Sequence, residues 1–203
     1  METLKELEEL LAGLSKGKNT KINVHFSIPE PLLSFCVDFN RAVNAVAPSL
    51  FGFNRNSIAF PHLTLFMGFV NSHTMLERVF QIVENLAKEL HSFRVIPMQP
   101  YFKGFSKKSN QYLFVDMLQN DEIASIKGMF LDALNNRTIP IGWNLRGEKP
   151  HISIACYRVV TDEVRHFIES HPFPPECDIR HIGVSISGQR GTCLGQLKTF
   201  ELK

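Results

Sequence analysis

Hydrophobic and polar positions along this chain change period several times, and each change marks an element. Over 20–28, Ile22, Val24, Phe26 and Ile28 alternate with Asn23, His25 and Ser27, the period of a strand with one apolar and one polar face. Pro29 and Pro31 end it. Leu32, Leu33, Phe35, Cys36, Val37 and Phe39 then carry a helix to about Ala47. Upstream, Leu4, Leu7, Leu11 and Leu14 predict an amphipathic helix over 2–15 that Gly17 can stop. That helix sets an N-terminal segment, 1–18, apart from a single bilobal domain over 19–203. After a loop at 48–56, a strand is predicted over 58–69 and a helix from about His73 to Glu89. Strands over 93–105 and 111–118 flank Ser106-Lys107-Lys108-Ser109-Asn110, a polar, basic hairpin tip. A helix over 121–135 and a short strand with Ile139, Ile141 and Trp143 lead to a strand at 149–158. A helix from Thr161 to near Pro172 and two strands, 177–187 and 194–202, complete the chain. Gly188-Gln189-Arg190-Gly191 splits the last two.

Strand, helix, strand, helix, strand thus occurs and approximately repeats. Short connections and interleaved strands predict an α+β fold of two pseudo-symmetric lobes, with inner antiparallel-rich sheets facing a central cleft and helices outside.

Two strands carry the same pattern. Phe60-Pro61-His62-Leu63-Thr64-Leu65 and Lys149-Pro150-His151-Ile152-Ser153-Ile154 each read Pro-His-apolar-hydroxyl-apolar. Side-chain alternation puts His62 with Thr64, and His151 with Ser153, on one face and the apolar residues on the other. His25-Phe26-Ser27-Ile28 fits the bare pattern as well, so context has to separate them. Ser72 stands ten residues after His62, and Thr161 ten after His151, each at the start of a predicted helix. Phe35, ten residues after His25, falls inside a predicted helix. His62 and His151 therefore belong to matching strand–helix units, and His25 does not.

Composition narrows the chemistry. The chain has 203 residues, 44% hydrophobic and 21% charged, the balance of a soluble globule with room for a core. A net charge of +2 permits an anionic ligand but gives no basic stripe for a long nucleic-acid track. Cys36, Cys156, Cys177 and Cys193 lack metal-type spacing and read as free thiols of a cytoplasmic protein without a signal peptide. No apolar run reaches membrane-spanning length. With no carboxylate cluster at metal-ligand spacing, a two-metal phosphatase is disfavoured and no cofactor is expected.

Two imidazoles on opposite sides of a phosphate suit an in-line displacement. One deprotonates the nucleophile while the other protonates the leaving oxygen, and histidine titrates in the range this needs. Hydroxyls from Thr64 and Ser153 can donate to the non-bridging oxygens. These motifs and the element order resemble the 2H, or two-histidine, phosphoesterases, a superfamily that includes the bacterial 2′-5′ RNA ligases and RNA 2′,3′-cyclic phosphodiesterases. The resemblance covers nearly the whole chain outside the first fifteen residues. It implies metal-independent cleavage of a 2′,3′-cyclic phosphate or 2′-5′ phosphodiester by His62 and His151, with Thr64 and Ser153 binding the phosphate. The partner implied is a small nucleotide or an RNA end, with no membrane and with a monomer as the expected state. A nucleotide-binding module without turnover and an RNA 3′-end processing exonuclease are the alternatives. Phe66 and Tyr157, by alternation on the histidine faces, are candidates for stacking on a base. His25 and His181 lie on polar strand faces that can reach the cleft. Arg190, Lys103, Lys107, Lys108, Arg146 and Lys149 are candidates for phosphate contacts, and His73, His91, His166 and His171 read as solvated.

Overall fold

The computed structural model describes residues 4–53, 58–104, 110–142 and 149–203. Its strands are β1 (Thr20–Ser27), β2 (Ala59–Phe60), β3 (His62–Val70), β4 (Phe93–Val95), β5 (Tyr101–Gly104), β6 (Gln111–Asp116), β7 (His151–Tyr157), β8 (Cys177–Ile179), β9 (His181–Ser187) and β10 (Cys193–Glu201). Eight of them form one sheet in the order β2-β10-β9-β1-β3-β7-β6-β5. Its pairings are antiparallel throughout. The fold is α+β, as the alternating pattern predicts. The two halves of the sheet meet at the histidine strands, β3 and β7, which pair at Leu63↔Ile152.

Proline accounts for several departures from the predicted strands. The run over 58–69 breaks at Pro61 into β2 and β3. The run over 93–105 breaks between β4 and β5, where Pro97 and Pro100 lack the N–H a ladder needs. The run over 177–187 divides at Arg180 into β8 and β9. β4 and β8 pair with each other in a separate two-stranded sheet. Ile139 forms only an isolated bridge with Phe69, not a strand. Trp143, the loop residues Arg146, Gly147 and Glu148, and the hairpin-tip residues Ser106, Lys107, Lys108 and Ser109 lie outside the described residues.

The helices are α1 (Leu4–Leu14), α2 (Leu32–Val46), α3 (His73–Glu89), α4 (Asn120–Leu134) and α5 (Asp162–Glu169). Both predicted caps are present. The Ser72 hydroxyl accepts from the Met75 N–H at 3.2 Å, and Thr161 accepts from the Val164 N–H at 3.4 Å. α2 follows β1 in sequence but packs on β7 and α5, while α4 follows β6 and packs on β3. The halves therefore exchange helices. Ile22, Val24 and Phe26 of β1, Leu32, Phe39 and Val43 of α2, and Phe130 and Leu134 of α4 are buried in one continuous core. α1 turns Leu7, Leu10, Leu11 and Leu14 onto that core and lies against β1 and β10.

Candidate active site

In an antiparallel pair, opposed residues share a face. From Leu63↔Ile152, one step either way sets His62 beside Ser153 and Thr64 beside His151. Leu63 and Ile152 are both fully buried on the other face, so these four polar residues line a common face. The next strands extend them into two rows. Gly183, His25, Thr64, His151 and Asp116 form one row, through the pairs His25↔Gly183, His25↔Thr64 and Asp116↔His151. Ser27, His62, Ser153, Phe114 and Tyr101 form the other, through Ser27↔His62, Phe114↔Ser153 and Tyr101↔Phe114.

Both imidazoles are oriented in the same way. His62 Nδ1 lies 3.1 Å from the Phe60 carbonyl, and His151 Nδ1 lies 2.8 Å from the Lys149 carbonyl. A carbonyl only accepts, so each Nδ1 carries the proton and each Nε2 carries the lone pair. The proline between carbonyl and histidine, Pro61 or Pro150, fixes the backbone that aims the acceptor.

No protein-family model and no curated protein matches the sequence. Solved structures match over the whole fold. TT0787 of Thermus thermophilus is similar at TM-score 0.65 and 15% identity, over 90% of this chain and 97% of that one. LigT of E. coli is similar at TM-score 0.61 and 15% identity, over 91% and 98%. A protein described as a phosphoesterase is similar at TM-score 0.60 and 13% identity, over 91% and 99%. The fold is the one these solved structures share. LigT has been crystallised with phosphate and with 3′-AMP.

Within this fold the two histidines have different surroundings. His62 is 6% exposed. Asn23, fully buried on β1, directs its amide Nδ2 to Thr64 Oγ1 at 3.0 Å and to His62 Nε2 at 3.4 Å. The His25 ring packs edge-on against His62 with centroids 5.5 Å apart, and against Phe60 at 5.4 Å. Burial lowers the His62 pKa to about 4; hydrogen bonds to the backbone of Phe60 and Gly191 oppose this, and the charge of a protonated His151 adds to it. His151 is half-buried and stacks on Phe114, with centroids 3.7 Å apart and planes at 26°. Burial lowers it to about 4 as well. The Lys149 carbonyl and Asp116 oppose that shift, and Lys127 and Lys103 reinforce it.

The fate of the other candidates follows from two bulges. On β3 the register slips between Val24 and His25, so Leu65 is an extra residue and Phe66, not Leu65, stands opposite Val24. Phe66 is thereby turned to the core face and is 1% exposed. On β7 the slip falls at Ile154, and Tyr157 is likewise turned inward, 2% exposed, against Phe102. Neither shares the histidine face, contrary to the alternation. Burial pushes the Tyr157 phenol well above its usual range. Thr64 and Ser153 are half-buried on the histidine face.

His25 reaches the site, behind His62. It is fully buried, with Nε2 2.6 Å from Ser185 Oγ, and burial and His62 together lower it to about 3. Arg190 occupies the β9–β10 turn at φ 53°, and its charge is felt at Tyr112 and Cys156 of the other half. Lys103 stands opposite Tyr112, and Lys149 contributes its carbonyl. His181 is exposed. His171 is half-buried and stacks on Phe39 with ring centroids 4.3 Å apart. The four cysteines form no disulfide and are buried. Among the described residues no three His, Cys, Asp or Glu side chains are grouped to hold a metal ion, and no helix is long and apolar enough to cross a membrane.

Sequence reasoning passed over Asn23, Ser185, Phe114, Tyr101 and Asp116 as site residues. Asn23 was legible as part of the polar face of β1. Asp116 is the one acid in the run 112–118, a charge that an otherwise apolar strand does not need for folding.

Proposed function

We propose that the protein is a metal-independent phosphodiesterase that opens a 2′,3′-cyclic phosphate, or cleaves a 2′-5′ linkage, in RNA or a small nucleotide. The observation that carries this reading is the four-residue face. His62 and His151 come from adjacent strands with both Nδ1 atoms tied down, and a hydroxyl lies beside each imidazole. A phosphate between the strands would have one Nε2 on the side of the entering oxygen and the other on the side of the leaving oxygen. Thr64 and Ser153 would donate to its non-bridging oxygens. Both imidazoles are neutral near pH 7 before a ligand binds. An anionic phosphodiester a few ångströms away raises their proton affinity, so binding substrate prepares one of them as the acid. The complexes of LigT with phosphate and 3′-AMP accord with a ligand of this class. Tyr101, exposed at the outer end of the second row with its ring 6.3 Å from Phe114, is the base-stacking candidate in place of Phe66 and Tyr157.

The test is incubation with the four nucleoside 2′,3′-cyclic phosphates and a 2′-5′ dinucleotide in EDTA, with products resolved. Turnover of at least one substrate that is lost in His62→Ala and in His151→Ala is the expected result. Binding of 3′-AMP with no turnover of any substrate would instead make the protein a nucleotide-binding module.

A further inference from the structure

Two imidazoles can share the acid and base roles in either order, and the surroundings of this pair are unequal. Asp116 on β6 stands directly opposite His151 on the same face. It is held there by the Tyr101 hydroxyl, which donates to its two oxygens at 3.1 and 3.2 Å. Opposed side chains of antiparallel strands lie about 5 Å apart at Cβ, within reach of a direct charge interaction. His151 is also the more open to solvent of the two rings. Around His62 the neighbours are neutral: the Asn23 amide, the buried imidazole of His25 and the Phe60 ring. An amide N–H directed at Nε2 is satisfied only by a neutral imidazole.

Building on the reading above, we infer that Asp116 is a positioning residue that divides the labour of the pair, making His151 the imidazolium acid and leaving His62 as the base. In the resulting step, His62 Nε2 takes a proton from water as the water oxygen bonds to phosphorus. The bond from phosphorus to one ribose oxygen breaks, and that oxygen takes the proton from His151 Nε2. The products are an open phosphate monoester, a protonated His62 and a neutral His151, which solvent returns to their starting states. The charges felt at His151 are those of Asp116 on β6, Lys127 on α4 and Lys103 on β5. At His62 the titratable neighbours are His151 on β7 and His25 on β1, whose ring packs against it. Asp116 opposes both lysines.

The experiment is the pH dependence of kcat, which reports the substrate complex, for Asp116→Asn, Asp116→Glu, Tyr101→Phe and Lys103→Met on the substrate that the wild type turns over best. Asn keeps an acceptor for Tyr101 while removing the charge. The alkaline limb, where the acid loses its proton, should move down by about one pH unit in D116N, the size of shift an opposite charge at such range produces. The acidic limb should stay in place. D116E should restore the wild-type limb, and Y101F, which keeps the charge, should retain it. K103M should move the same limb up, which keeps the inference testable if D116N does not fold. A shift of the acidic limb instead would assign the base to His151 and overturn the inference, and two unmoved limbs would remove Asp116 from it. An equal shift in Y101F would give the effect to geometry rather than charge. A wild type that turns over no substrate would overturn the proposed function itself, an outcome distinct from all of these.

Discussion

Gly183 is the position where one added methyl group tests the packing behind the site. A Cβ built there stands 2.5 Å from His25 Cε1, 2.8 Å from His25 Nε2 and 3.2 Å from Gln196 Nε2. Non-bonded carbons rest about 3.5–4.0 Å apart, so Gly183→Ala requires roughly 1 Å of ring movement. His25 has nowhere to take it. Ser185 is hydrogen-bonded to Nε2 at 2.6 Å, Phe60 and His62 pack against the ring, and the residue is 0% exposed. Overpacking of this kind costs about 1–3 kcal/mol, or roughly 2–4 °C in Tm per kcal/mol for a chain of this size. The displaced ring bears on His62, where a misplacement of about 1 Å can cost on the order of a hundredfold in rate. Urea unfolding and turnover of the cleaved substrate should therefore both fall in G183A. His25→Ala vacates the space the methyl needs, so the double mutant should recover part of the G183A loss, a coupling of about 1 kcal/mol or more. A G183A protein of wild-type stability and rate, or strict additivity with H25A, would refute this account of the packing.

Asn40→Leu should lower the urea midpoint with an unchanged m value. It leaves the Ile154 carbonyl, now bonded at 2.6 Å, and the Phe53 N–H, now bonded at 2.8 Å, without partners, at about 1–3 kcal/mol for each buried group. His62→Ala and His151→Ala should each reduce turnover in EDTA by at least about a hundredfold. Thr64→Ala and Ser153→Ala should cost less, and the double histidine mutant should be far from multiplicative. Stability measured by denaturation should decline on acidification from about pH 6.5 toward 4. His25, His62 and His151 are held neutral in the folded state with pKa values of about 3, 4 and 4. The unfolded chain therefore binds protons first, and stability is lost as pH falls by roughly 1.4 kcal/mol per unit for each histidine still neutral. His25→Gln should flatten that slope.

The pattern of positions disclosed the element types, the helix caps and the shared face of each histidine with its hydroxyl, because each depends on neighbours within a few residues. What it could not disclose depends on partner strands. Whether β3 lies next to β7 is decided by a pairing across the two halves at Leu63↔Ile152, and nothing local to either strand states it. Asp116 is an isolated acid until β6 is set against β7, and only then does it stand at His151. His25 reads as a poor match to the motif because no matching helix follows it. Its place behind His62 comes from the β1–β3 register and from the room that Gly183 leaves on β9.

The two bulges are the part of the register that shapes the site. Each falls three residues beyond a histidine, at Leu65 and at Ile154. An unbroken β3 would carry its polar face on through Phe66 and Gly68 and set Met67 in the core. The bulge ends that face after His62 and Thr64 and sends Phe66 inward, and the bulge in β7 does the same after His151 and Ser153. An extra residue leaves backbone groups outside the ladder, and at Ile154 the carbonyl is taken up by Asn40 of α2. The polar face shared by the two strands is therefore limited to two residues from each, His62 and Thr64 on β3 and His151 and Ser153 on β7. On the proposed function, anything that distinguishes one nucleotide from another has to come from flanking strands, where Tyr101 on β5 is exposed. Substitution at Tyr101 should accordingly change which base is preferred, while substitutions at His62 and His151 remove turnover of every substrate alike.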